Sequence, residues 1–487
     1  MSIMFELSSL FASFFIVEWI IRIFMLFIVP RKARQASANA WLLLIMIMPL
    51  FGTIVFYMFG DPKLSRRRRE QLVEVTEMTT KELRELRGRH AELFPTLEND
   101  DYDTIAKLAT KLGGLPPMSG NTIAFHTHYN QSLQAVAAAI DEAKEYVHIQ
   151  FYIASLDTAT QVVFDALERA VSRGVVVRFM YDKLLSRRFK GVRQMEKFLK
   201  EKGVLVKEML PLYLIPGAEF TRPDLRNHRK VVIIDGVVAF SGSQNLIDKS
   251  YNRRDGVVYE EVVAEMRGPI VWQLNNVFRS DWMAETGEAL LSIVEDVDVP
   301  LEQGPVTAQV LPSGPAHEYE NNLKLYTAMV HAAKKCVRIV VPYFIPDESF
   351  LDALIAAAHR GVKVTMINSE VIDKILAGHA QRSYYEDLLR VGIKIYLYEK
   401  PAFLHTKQVI IDDDVAIVGS SNLDIRSFEL DFELNTILYD KEVVARLLRI
   451  EAGYLKKSTL LTPEQWANRS LKNKMLDTVA RLTAALQ

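Results

Sequence analysis

The chain has 487 residues, 49% hydrophobic and 24% charged, enough for two or three globular domains. Its 59 Lys and Arg against 60 Asp and Glu give a net charge of -1, which leaves no global basic field for nucleic acid. A single cysteine, Cys336, excludes an internal disulfide and a C-x-x-C zinc site; between Lys334-Lys335 and an apolar run, it reads as structural.

The N-terminus is set apart from the rest. Residues 3–29 and 40–59 are almost wholly apolar, and each is long enough to cross a bilayer, which takes ~20 residues. The first run is too long for a removable signal peptide and lacks its basic start, so a pair of transmembrane helices is expected, with a hairpin dipping into one leaflet as the alternative. Glu18 and Arg22 interrupt the first run at the i, i+4 spacing of a helix ion pair, facing the second helix or a polar cavity. Arg31, Lys32 and Arg34 lie between the runs, and Lys63, Arg66, Arg67, Arg68 and Arg69 follow the second. Five cations against three put the C-terminal part in the cytoplasm, and the basic cluster suits anionic lipid headgroups.

Residues 65–90, densely charged and free of Gly and Pro until Gly88, read as a solvated helix or helical linker. Core-like patterning is expected from about Asn121. Helix 131–143, strand 147–153, helix 158–172 and strand 175–181 follow in order. The order recurs as helix 320–334, strand 337–345, helix 350–359 and strand 362–367. Arg173-Gly174-Val175 matches Arg360-Gly361-Val362, and Asp165-Ala166-Leu167 matches Asp352-Ala353-Leu354. The chain is therefore read as a duplicated α/β unit with a mainly parallel or mixed sheet in each half, joined by an acidic connector over 284–307. The expected organisation is a membrane module at 1–60, a charged helical linker at 61–115, the two α/β domains at 116–285 and 286–460, and an amphipathic helix at 461–487. Leu471, Met475, Val479, Leu482 and Leu486 form one stripe of that last helix, which either docks on the domain or lies in a membrane interface.

One pattern occurs twice. His228-Arg229-Lys230 leads through four apolar residues to Asp235, then to Gly242-Ser243-Gln244-Asn245. His405-Thr406-Lys407 leads to Asp412, then to Gly419-Ser420-Ser421-Asn422. Both read H-x-K-x4-D-x6-G-S-x-N. Alternation puts His and Lys on one face, where an imidazole can attack or protonate a phosphate that an ammonium neutralises. His126, His128, His148, His331, His359 and His379 lack the Lys two residues on and read as ordinary.

The paired motif resembles the signature of the phospholipase D superfamily, in which each half of the protein supplies one H-x-K-x4-D to a single shared site. Asn39-Ala40-Trp41, Pro49, Gly52, Tyr57 and Gly60 are similar to the membrane module of bacterial cardiolipin synthases. Gly268-Pro269, Phe278, Asp281-Trp282, Leu311-Pro312-Ser313-Gly314-Pro315 and Pro342-Tyr343-Phe344-Ile345-Pro346-Asp347 extend the likeness over nearly the whole chain.

Two such motifs at one site imply a two-step exchange through a phosphohistidine. One His attacks phosphorus, and the other protonates the departing alkoxide and then serves as base for the incoming alcohol. In the superfamily the first motif's His usually attacks, which implies His228 as nucleophile and His405 as acid and base. Lys230 and Lys407 balance charge on phosphorus, with Ser243, Asn245, Ser420 and Asn422 as further phosphate donors. Asp235 and Asp412 complete the motif, with a role in holding the Lys or the turn as the alternative to a catalytic one. Glu261 and Glu433 are candidates to hold the far nitrogen of a motif His. No metal or other cofactor is called for: two fixed cations serve, and no carboxylate cluster suits a two-metal site. The resemblance implies transfer of a phosphatidyl group between two phosphatidylglycerols, giving cardiolipin and glycerol, in the bacterial inner membrane. Hydrolysis by water, another headgroup alcohol, a nuclease and an inactive scaffold are the alternatives. Oligomeric state is not legible in the sequence.

Overall fold

The structure is a computed structural model that describes residues 2–32, 35–60, 64–212, 222–251, 256–290 and 304–482. Arg34, Lys63, Leu486 and residues 291–303 of the expected connector lie outside the described residues, as does the side chain of Leu482. The chain divides into two compact units: residues 1–64 with 212–225, and residues 65–211 with 226–487.

In the first unit the apolar sequence forms helices Ser2–Lys32, Gln35–Ile47 and Pro49–Phe59. Met25, Val29, Ala38, Ile45 and Phe56 make their common core, and Trp41 packs edge-on against Phe56 at 5.7 Å. Ser13–Lys32 is long and apolar enough to cross a membrane. The second expected span is not one helix. Pro49 stands at the first position of its helix and has no N–H to give to the preceding turn, so the run breaks at Met48 into two shorter apolar pieces. Glu18 and Arg22 do pair, at 3.4 Å, and the Arg22 Nε also donates to the Met46 carbonyl at 3.0 Å, so the pair faces the second helix.

The second unit is a mixed α/β fold around one 15-stranded sheet. Its centre is the antiparallel pair Met118–His126 and Val306–Ser313. Outward on one side come Val263–Arg267, Val238–Gly242, Val231–Ile234, Tyr146–Phe151, Val176–Tyr181 and Leu205–Glu208. Outward on the other come Glu433–Leu438, Val415–Gly419, Gln408–Ile411, Cys336–Val340, Lys363–Ser369 and Lys394–Tyr398, with Ser458–Leu460 added at the edge. The order is the same in both directions, as the duplicated sequence requires. In each half the outer strands run parallel through helical crossovers and the motif strands form antiparallel hairpins. The expected strand 337–345 is interrupted: after Cys336–Val340 the chain leaves the sheet at Pro342, and Phe344–Ile345 pairs separately with Leu423–Asp424. Cys336 is buried beside Asp413, and burial pushes its thiol up to about 11, in keeping with a structural residue.

Two stretches differ from the sequence expectation. The charged run does form a helix, Arg66–Arg89, capped by Ser65, but it is not solvated all round. Buried Arg68 makes a two-pronged pair with Glu285 (2.6 and 2.8 Å), and buried Glu82 pairs with Arg279 (2.8 and 3.0 Å). The charges dock this helix on helix Ile270–Thr286. The core also begins before Asn121, because helix Asp100–Gly113, capped by Asn99, buries Tyr102, Ile105, Ala106 and Ala109.

Candidate active site

Each motif precedes a fully buried strand of four residues, Val231–Ile234 or Gln408–Ile411, whose backbone is bonded on both sides. That fixes the direction of the side chains just before it. In the first motif Arg229 points away from its neighbours: its guanidinium bonds Asp281 (2.6 Å) and the carbonyls of Ser313 and Glu433. Thr406, the corresponding residue, bonds the Tyr454 hydroxyl at 3.0 Å. The alternation therefore holds, with His and Lys on one side and the intervening residue on the other.

Glycine opens the second half of the motif for a steric reason. A Cβ on Gly242 would lie 2.3 Å from the Val262 carbonyl oxygen, and one on Gly419 would lie 2.3 Å from the Leu434 carbonyl oxygen. The strand thus passes directly over the backbone that carries the next acidic residue, Glu261 or Glu433. Ser243 and Ser420 tie the crossing together by accepting hydrogen bonds from the Val262 and Leu434 amides, at 3.0 and 2.9 Å.

The two acidic residues are crossed between the halves. Glu433, from the second half, holds Nδ1 of His228 at 3.0 and 3.1 Å; Glu261, from the first half, holds Nδ1 of His405 at 2.8 and 3.0 Å. The backbone repeats the exchange: the His228 amide donates to the Phe432 carbonyl (2.9 Å) and the His405 amide to the Glu260 carbonyl (2.8 Å). Strand Ala402–Leu404 pairs in parallel with Val258–Glu260, so each motif is stitched to the residue preceding the other half's glutamate. Both imidazoles present Nε2 as the remaining nitrogen, the tautomer being set by the carboxylate.

All six residues are buried, none more than 8% exposed. Each Lys folds back to donate to the carbonyl of its own motif His, Lys230 at 2.5 Å and Lys407 at 2.6 Å. Burial lowers Lys230 to about 8 and Lys407 to about 7, against an ordinary 10.5, with Glu433 and Glu261 opposing the fall. Burial also lowers both histidines. His228 lies well below its usual range, pushed further by Lys230 and opposed by Asp431, with Lys407 and His405 adding to the fall; His405 is lowered too, with Glu261 opposing the fall. These mutual effects of both Lys and both His put the two motifs at one site. Glu261 is held below the carboxylate range by His405 and Lys407 against the effect of burial, whereas burial raises Glu433.

The other expected residues have different surroundings. The Ser420 hydroxyl donates to Glu433 at 2.5 Å, and Ser427 donates to the same carboxylate at 2.8 Å, so Ser420 orients the Glu that orients His228. Asn245 accepts from the Ile153 amide and donates to the Tyr251 hydroxyl. The buried Asn422 side-chain oxygen has no protein partner among the described residues. Asp235 and Asp412, grouped with the catalytic residues on the motif alone, are corrected by their positions. Five residues beyond the Lys along a strand, they sit ~16 Å away, at the first turn position of the hairpins, with φ of 51° and 55°. Asp235 accepts from the Lys144, Glu145 and Tyr146 amides, and Asp412 from those of Lys334, Lys335 and Cys336. They anchor the turn to the start of the next strand.

Sequence reasoning missed the aromatic walls. Tyr152 stands edge-on to His228 at 4.7 Å with the Lys230 ammonium over its face, and Tyr259 stands edge-on to His405 at 5.3 Å. Neither carries a local signal beyond an aromatic at a strand end. His148 is an ordinary core residue, sandwiched at 4.4 Å between Tyr146 and Phe278, and His126 pairs with Glu265.

The family described as "Cardiolipin synthase, PLD-like domain" matches residues 136–282 and 326–451, one segment in each half. A cardiolipin synthase A of Pectobacterium carotovorum is 33% identical over 454 residues, covering 92% of this chain and 93% of the relative. Those of Proteus mirabilis and Klebsiella pneumoniae are each 32% identical over the same shares. Among solved structures, phosphatidylserine synthase from Haemophilus influenzae superposes with a TM-score of 0.59, covering 79% of this chain and 98% of its own; at 14% identity this likeness shows the fold alone. With both halves matched and relatives aligned over nearly the full length, the chain belongs to the cardiolipin synthases of the phospholipase D superfamily.

Proposed function

We propose that the protein is a phosphatidyltransferase that converts two phosphatidylglycerols into cardiolipin and glycerol through a phosphohistidine. The observation that carries the reading is the crossed pair of His–Glu contacts around two buried lysines. Nε2 of His228, from the first motif, attacks phosphorus of the first phosphatidylglycerol. The bond to the headgroup glycerol breaks, and His405, whose cation Glu261 favours, gives that oxygen a proton. The headgroup hydroxyl of the second phosphatidylglycerol then loses its proton to His405 and attacks, and the N–P bond breaks. Lys230 and Lys407 face the charge that develops on the phosphoryl oxygens, and Asn245 and Asn422 contribute amide groups at the same end of the motif hairpins. Exchange of one phosphodiester for another is nearly isoenergetic, so no nucleotide is required. The assay is purified protein in detergent with phosphatidylglycerol as the lipid. Cardiolipin and glycerol in equal amounts are expected; phosphatidic acid as the main product would make water the acceptor and the protein a hydrolase.

The lysines give this reading a pH signature. A Lys lowered to about 7 or 8 is protonated below that pH and neutral above it. Capture of a phosphodiester needs the cation, so kcat/KM falls as pH rises through 7 to 8. Bound phosphate raises both lysines, so the fall in kcat lies at higher pH. Rates at saturating and low lipid across pH 6 to 10 check this; a flat kcat/KM to pH 9 would remove the lysines from phosphate capture.

The apolar helix Ser13–Lys32 and the two shorter helices after it support a multi-pass anchor in the bacterial inner membrane, with the second pass formed by the Pro49-broken pair. The balance of flanking cations supports a cytoplasmic active site, for which a reporter fused after Gln487 is the test.

A further inference from the structure

Helix Leu471–Leu482 is docked the wrong way round for a soluble surface. It lies along helix Ile375–Ser383, and the side chains it buries there are Asp477 (3% exposed) and Ala480 (1% exposed). Asp477 is held by His379 at 2.7 Å and by Arg469, which stacks on Trp466. At 3.6 residues per turn, Leu471, Met475 and Val479 fall on the opposite side. They are 73%, 61% and 59% exposed, and Leu476 is 41% exposed. The partner helix adds Ile375 and Leu376, at 67% and 52%. Single exposed apolar residues need no explanation, but six on two packed helices do.

The exposed charges of the C-terminal helix are all cationic, while Glu370, which lines the same cleft as Ile375, is paired with Lys400. Lys472, Lys474 and Arg481 are exposed on the C-terminal helix, and its only carboxylate, Asp477, is buried and paired. Lys374 lies beside Ile375 with its ammonium over Tyr343 at 5.0 Å, and Asp387, bonded to Arg481 at 3.2 Å, is a second acidic neighbour. An apolar stripe with a cationic rim suits an anionic lipid surface, the chains meeting the stripe and the phosphates the lysines. The patch also adjoins the active site. Asp373, two residues before Ile375, is hydrogen-bonded to the hydroxyls of Tyr343 and Tyr259, and Tyr259 forms the wall beside His405.

We infer that helices Ile375–Ser383 and Leu471–Leu482 form a second membrane contact, independent of the N-terminal helices, which sits in the headgroup region of an anionic bilayer and holds the His405 side of the site at the lipid surface. The choice of a lipid occupant rests on the phosphatidyltransfer reading above.

The test uses the full chain in nanodiscs containing phosphatidylglycerol. In a Cys336→Ser background, Met475→Cys carries an environment-sensitive fluorophore and nitroxide-labelled lipids serve as quenchers; Lys197→Cys, at an exposed position in the other half, is the reference. Quenching of about twofold or more at 475, absent at 197 and weaker in phosphatidylcholine discs, is the expected result. Equal quenching at both positions, or none at 475, overturns the inference. Crosslinking between copies through position 475 also overturns it, making the patch a dimer contact. Met475→Asp with Val479→Asp, both at exposed positions, lowers kcat/KM on bilayer phosphatidylglycerol about tenfold while leaving turnover of a short-chain soluble analogue unchanged. Loss on both substrates would overturn the surface role. Cardiolipin formation is followed in the same discs: quenching without cardiolipin would remove the transferase reading and leave the membrane contact standing.

Discussion

Replacing His228 or His405 with alanine lowers cardiolipin formation by about 10⁴-fold or more, since each removes a group that acts as one unit with its partner. The two losses differ in kind. With a donor whose leaving group is nitrophenolate, departure needs no proton. The His405→Ala protein then releases a burst of one nitrophenol per active site and stalls, because the second alcohol has no base to take its proton. The His228→Ala protein gives no burst, because nothing accepts the phosphatidyl group. Stopped-flow absorbance at the nitrophenolate band separates the two. The opposite pattern would make His405 the nucleophile, since the two imidazoles are each held by a glutamate in the same way. Both positions are buried in the same pocket of charge, so thermal unfolding of each variant beside wild type ensures that the burst, not the fold, is being compared.

The parts of this site that were legible in the sequence are those with a local spacing. H-x-K sets two side chains on one face and four apolar residues make a buried strand, whereas the crossing at Gly242 and Gly419, too close for a Cβ, was not legible. Repetition then showed that the halves carry equivalent motifs, and the repeated helices and strands appear near where periodicity put them, apart from the break of strand 337–345 after Val340. The crossing of the glutamates was not legible. His228 and Glu433 lie 205 residues apart and His405 and Glu261 lie 144 apart, and each glutamate follows its own half's motif, so nothing local points to the exchange until the central strands join the two halves edge to edge. Charge was misleading for the same reason. The run after Ser65 is dominated by charge, and although Val75 and Leu86 are buried on its docked side, it is the distant partners Arg279 and Glu285 that show some of its charges to be docked as well. The C-terminal stripe was legible as amphipathic, yet the side that docks is the one holding Asp477. An apolar run reads as one span until proline removes the amide that would continue it, as at Pro49.

Asp412→Ala costs about 4 kcal/mol of stability rather than a catalytic group, and this separates the motif's last residue from its first two. The carboxylate is 7% exposed and accepts from three consecutive backbone amides at 2.6 to 3.1 Å. A charge-assisted bond of this kind contributes roughly 1.5–3 kcal/mol at the buried Cys336 amide, and the part-buried Lys334 and Lys335 amides, which meet water when the acceptor goes, contribute little more. Alanine at a φ of 55° adds about 1 kcal/mol of backbone strain. Asp412→Asn tolerates that φ and keeps one acceptor oxygen, so it costs less, roughly 2 kcal/mol. Chemical denaturation of the purified variants gives the order wild type, Asn, Ala, with unchanged denaturant slope. At a temperature where each is folded, both should retain turnover within about threefold of wild type, since a carboxylate ~16 Å along the strand from the motif Lys makes no contact that strengthens in the transition state. A variant as stable as wild type but inactive would return Asp412 to the chemistry. The anchoring account would then fail for Asp235 as well, because the two carboxylates hold equivalent triplets of amides at equivalent turns.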